Sequence, residues 1–252
     1  MQTIPDCLVA ILLVSAFLGW GRYLIKSIKT AEPPDLPIIR TRAYLGTVAL
    51  QWLFVISVAA IWVAQRRAWT DLGVIPVLGT PLWAFLGLLV VVMVVVLPWR
   101  SHLLAKPETL QKLHEVSEGS GPGRLFPKTR TELTRFYVMS ISSGITEEVL
   151  FRGFLTWCFH HWFPFWVAAL LSTILFALGH LYQGAGGAMQ AGILGAVFMA
   201  LYAWTGSLLP PVFLHILVNL HQTHAVQLGM SYSRHVAQES ATGMAIPHPT
   251  IR

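Results

Sequence analysis

Two adjacent acids, Glu147 and Glu148, precede Arg152 in the string ITEEVLFRGFL at 145–155, and together they are the residues of this chain best suited to chemistry. On a helix, Glu148 and Arg152 are four apart, share a face and can pair, which makes them structural support. Glu147 lies about 100° further round, with no local cation to neutralise it. A desolvated carboxylate beside a second one suits proton exchange near neutral pH, as a general base does. His215 and Asn219 are also four apart, so one helix face presents an imidazole and an amide that can both donate to a developing oxyanion. His180, four residues after Phe176, can share a water with Glu147; Phe176 itself reads as packing support. The chemistry these groups can assemble is activation of water on one side of a carbonyl and oxyanion stabilisation on the other. That is peptide-bond hydrolysis without a covalent intermediate.

The elements that must position these groups are hydrophobic. Of 252 residues, 55% are hydrophobic and 11% charged. A soluble domain of this length carries roughly 25% charged residues, and a disordered one has low hydrophobicity. Apolar runs at 7–25, 43–64, 81–99, 133–162, 165–182, 187–204 and 208–228 approach or exceed the ~20 residues that cross a bilayer. An all-α, polytopic transmembrane bundle of about seven or eight helices around a polar intramembrane cavity is expected. The string LLVVVMVVVL at 88–97, between Pro81 and Pro98, is read as a lipid-facing helix, because an isolated strand cannot satisfy its backbone in lipid. An ionisable group at mid-bilayer costs about 2.5–3.5 kcal/mol on insertion scales, so polar residues inside such runs mark function.

Charge and punctuation complete the outline. The net charge of +6 lies in connections between apolar runs, which reads as loop charge setting orientation and gives no nucleic-acid partner. Residues 22–42 hold five Lys/Arg and 100–130 hold six, against two, Arg66 and Arg67, after the second run. These counts place the richer loops in the cytoplasm and the N-terminus outside. The first run reads as a retained helix and not a cleaved signal. The chain is a single integral membrane domain, 1–252, with a polar tail at 231–252 expected to be disordered. Cys7 and Cys158 have no metal-binding spacing. Other hydrolytic signatures are missing: no H-E-x-x-H, no aspartate within a span, no G-x-S-x-G around Ser142-Ser143-Gly144, and no phosphate loop at the GAGG of 184–187.

The three strings E-E-x-x-x-R at 147–152, F-x-x-x-H at 176–180 and H-x-x-x-N at 215–219, in that order, resemble the CAAX protease and bacteriocin-processing (ABI) family of intramembrane endopeptidases. The flanking FALGHLYQG at 176–184 and TGSLLPPVFLHILVNL at 205–220 strengthen the likeness, which covers about 131–229 as a catalytic core. The resemblance implies a glutamate-dependent hydrolase. In it Glu147 is the general base, His180 orients the water, His215 and Asn219 form the oxyanion site, and Glu148 and Arg152 support them. No cofactor is implied. The partners are the lipid bilayer and a membrane-associated protein or peptide substrate. The short loops read as those of a bacterial inner-membrane protein.

Two other readings of the same residues stand beside this one. Glu147, His180 and His215 can be ligands of a zinc-dependent version of the protease. Alternatively, a non-catalytic immunity or peptide-binding protein can use them as a polar cavity.

Overall fold

The computed structural model describes residues 4–119 and 121–242. Among them every regular element is helical. Helix α1 spans Ile4–Thr30, α2 Leu36–Ala64, and α3 Thr80–Leu104. A surface helix α4, Pro107–Glu118, follows. Helix α5 runs over 130–160, α6 over Phe165–Gly179, α7 over Gly184–Thr205 and α8 over Leu209–Thr242. This is the expected all-α bundle, and the protein is an integral membrane protein. Helices α1, α2, α3 and α7 are long and apolar enough to cross a bilayer. Helix α6 is apolar but has 15 residues. Helices α5 and α8 bear the polar groups singled out above, which dilutes their hydrophobicity.

The hydrophobic stretch 88–97 is helical, as its lipid-facing reading requires. It widens into a π-helical turn at Val92–Val96, just before Pro98. Proline has no N–H to return to the carbonyl four residues back, and its ring crowds that carbonyl, so the preceding turn opens.

Helix α5 is the axis of the bundle. Its start is set by a capping box: the Thr129 hydroxyl accepts from the Glu132 N–H at 3.2 Å, and the Glu132 carboxylate accepts from the Thr129 N–H at 3.2 Å. The same carboxylate takes Arg40 Nε of α2 at 2.9 Å, locking the two helices at one end. Further along, Leu150, Phe151, Phe154 and Leu155 pack with Leu13 of α1, Phe54 and Trp62 of α2, and Phe176 of α6. Between Glu148 and Leu155 the helix is π-helical. The Phe151 carbonyl there accepts from Thr156 Oγ1 at 2.8 Å and Ser172 Oγ at 2.7 Å, so hydroxyls satisfy a backbone group in the widened turn.

Helix α8 lies along α5 in a polar seam. Tyr137 Oη donates to Gln227 Oε1 at 2.9 Å, Ser140 Oγ meets Thr223 Oγ1 at 2.9 Å, and Asn219 Nδ2 donates to the Ser140 carbonyl at 3.0 Å. At Gly144 the helices touch backbone to backbone: an added Cβ would lie 2.9 Å from Ile216 N and 3.1 Å from its Cα. The seam fixes the register that brings His215 to Glu148.

The polar tail departs from expectation. Helix α8 continues through 231–242 instead of fraying, and 243–252 lie outside the described residues. Helix α4 packs beside the extension, with His114 Nδ1 2.7 Å from Ser233 Oγ and its ring against Tyr232.

Candidate active site

Glu147 and Glu148 sit at the junction where α5 changes from α- to π-helical geometry, both buried. Glu148 makes two bonds through one oxygen. Its Oε1 accepts from Arg152 Nη1 at 2.9 Å and lies 2.7 Å from His215 Nδ1. The pairing read from the four-residue spacing is therefore present, and a third partner joins it. Arg152 is wholly buried; its Nη2 donates to the Gly195 carbonyl of α7 at 2.9 Å, and its guanidinium lies 4.4 Å from the Phe176 ring centroid. A cation on an aromatic face, a carboxylate and a carbonyl together offset the cost of burying this charge. Phe176 thus does more than fill space: it carries the cation on one face and meets His215 edge-on with centroids 6.1 Å apart.

Glu147 points the other way round the helix. Its Oε1 accepts from Gln51 Nε2 of α2 at 2.7 Å, and its Oε2 lies 3.8 Å from His215 Nε2. Gln51 is a site residue that motif reading missed. It stands 96 positions from Glu147 and carries no spacing signal; the one available clue is an amide in the middle of an apolar run.

The two histidines have defined tautomers when neutral. His180 follows the last residue of α6 and points Nδ1 at the Phe176 carbonyl, 2.8 Å away. A carbonyl only accepts, so Nδ1 carries the hydrogen and Nε2 the lone pair. His215 Nδ1 faces the Glu148 carboxylate, which assigns its hydrogen the same way. His215 Nε2 therefore donates to an oxyanion only when the ring is doubly protonated. Asn219 spends one amide N–H on the Ser140 carbonyl and keeps the other. Phe198 stacks on His215 with centroids 4.7 Å apart and an interplanar angle of 23°, holding the ring's plane.

A cavity of about 80 Å³ is lined by His180, His215, Asn219 and Phe176, with Gln183, Gln190 and Gln222 among the remaining walls. His180 follows the end of α6 and His215 lies near the start of α8, yet the two share this space. The 15-residue α6 spans about 22 Å at 1.5 Å per residue, short of the ~30 Å hydrocarbon core. Glu147 is not among the residues lining the cavity and reaches it through His215. Among the described residues no three His, Cys, Asp or Glu side chains group closely enough to hold a metal ion, so the zinc arrangement of Glu147, His180 and His215 has no geometric support. His160 and His161 lie apart from the site, each with Nδ1 at a nearby carbonyl.

No curated protein and no solved structure matches the chain. Residues 129–221 match the family model described as Rce1-like, type II CAAX prenyl endopeptidase, and all three motifs lie within this segment.

Proposed function

We propose that the protein is an intramembrane endopeptidase that hydrolyses a peptide bond of a membrane-associated protein or peptide, with Glu147 as general base, in the inner membrane of a bacterium. The observation that carries this reading is the meeting of four groups from three helices: His180, His215 and Asn219 line one cavity, and the Glu147 carboxylate backs onto His215. Each group has a step that its geometry suits. Water admitted beside His215, between the cavity and Glu147, gives a proton to Glu147 while His180 Nε2 accepts its other hydrogen and orients it. The resulting hydroxide adds to the scissile carbonyl carbon. The second N–H of Asn219 and the Nε2–H of doubly protonated His215 donate to the oxyanion. Collapse of the tetrahedral intermediate breaks the C–N bond, and the proton held by Glu147 passes to the leaving nitrogen. Glu148 and Arg152 touch none of the reacting atoms in this scheme; Glu148 holds His215, and Arg152 holds Glu148.

The test compares membrane peptides from cells carrying the wild-type protein with those from cells carrying Glu147→Gln. Cleavage products present with the first and missing with the second are expected, with both proteins equally abundant in the membrane. Identical peptide sets would reject the reading.

A further inference from the structure

The group that holds Glu147 comes from outside the three motifs and outside the segment that matches the protease family. Gln51, on α2, is 2% exposed, and each polar end of its amide is engaged. Nε2 donates to Glu147 Oε1 at 2.7 Å; Oε1 accepts from Ser143 Oγ at 3.1 Å and from Thr146 Oγ1 at 3.0 Å. We propose that Gln51 is a positioning residue for Glu147, fixing the rotation of its carboxylate so that Oε2 faces His215 and the cavity. The proposal rests on the reading of Glu147 as general base.

The terminal torsion of a glutamate is soft and roughly two-fold, so an unheld carboxylate presents either oxygen over a broad range of angles. A base must aim a lone pair at the proton it takes, within hydrogen-bond reach. Gln51 occupies one oxygen and leaves the other as the only one directed toward the cavity side. An amide can itself flip, exchanging its oxygen for its nitrogen. Here a flip would set the amide oxygen against the Glu147 carboxylate and the NH2 group against two hydroxyls. Ser143 and Thr146, on the same helix as Glu147, oppose that flip by donating to Oε1. Thr146 shares its single hydroxyl hydrogen with the Ser142 carbonyl, 2.9 Å away, which leaves Ser143 as the dedicated donor. Gln51 does not line the cavity, so its loss changes the reacting geometry and not substrate contact.

The experiment uses the full-length protein in detergent and a synthetic peptide spanning the bond whose cleavage disappears in Glu147→Gln membranes. Gln51→Met keeps the length of the side chain and removes the donor. The expected result is a fall in kcat of about 10–100-fold, with KM within about twofold and the unfolding midpoint near wild type. The paired change Ser143→Ala, Thr146→Val is expected to cost kcat several-fold beside Gln51 and nothing further beside Met at that position. An unchanged kcat in Gln51→Met overturns the proposal. So does a loss that appears equally in KM and the unfolding midpoint, with the hydroxyl effects persisting in the Gln51→Met background. If no bond distinguishes wild type from Glu147→Gln, the protease reading has failed and the role of Gln51 falls with it; a dead Glu147→Gln beside a fully active Gln51→Met rejects the role alone.

Discussion

His215 and Glu148 meet at 2.7 Å, Nδ1 to Oε1, across the seam between α8 and α5. The contact settles which face of the imidazole is left for other work. With Nδ1 committed to Glu148, Nε2 turns toward Glu147, 3.8 Å from its nearer oxygen. One histidine thus separates two neighbouring acids that would otherwise be sequence twins. Glu148 is tied to Arg152 and the backbone of α7 through it, while Glu147 is tied to α2.

Glu148→Gln tests that division. The amide keeps the shape of the carboxylate but removes the charge that holds both Arg152 and His215. We expect kcat to fall on the order of 100-fold through misplacement of the His215 ring. A kinetic comparison with Glu147→Gln should give a larger residual activity for Glu148→Gln.

Arg152→Met removes the guanidinium that pairs with Glu148 and leaves a buried carboxylate without that charge partner. Such a change costs about 3–5 kcal/mol, far more than replacing both partners together. Denaturant unfolding in detergent should show Arg152→Met well below the double variant Glu148→Met, Arg152→Met.

Gly144→Ala should separate α5 from α8. The new methyl would meet Ile216 Cγ1 at 2.7 Å and the Ile216 backbone at 2.9 Å, where no rotamer change can make room. Overpacking of this kind costs about 1–3 kcal/mol. The same displacement moves His215, one residue before the clash, away from Glu148, so peptide hydrolysis should drop by an order of magnitude or more in a protein that still inserts.

A pH effect is expected far from the site, where α4 meets the loop before α5. Lys128 pairs with Glu118 and holds its carboxyl below the ordinary value of 4.5. The stabilising contribution is therefore complete above that value and fades as the pH falls through the lower, folded one. Glu118 is exposed and Lys128 partly so, so the effect is small and screened by salt. The difference in unfolding midpoint between wild type and Glu118→Gln should vanish in acid and shrink at high ionic strength.

The sequence revealed the membrane bundle and the site unequally, for physical reasons. Apolar runs of membrane length report their fold directly, because lipid admits little else; the Val-rich stretch 88–97 is helical despite its strand-like composition. The Glu148–Arg152 pair followed from helical spacing and survives in the π-helical turn. The partnership of His215 with Glu148 did not, since it depends on the register of two helices 67 positions apart. Gln51, marked only by an amide within an apolar run, carries no spacing signal for the same reason. The helix through 231–242 also escaped notice: its partner α4 is a polar surface helix whose docking no periodicity announces.

The shortness of α6 has an outcome for the surrounding lipid. Where a 15-residue helix stands beside neighbours of 22 to 31 residues, the hydrocarbon slab on that flank must pinch to meet it. Acyl-chain length then becomes a control on turnover: thicker membranes would strain against this dimple, and thinner ones would relax into it.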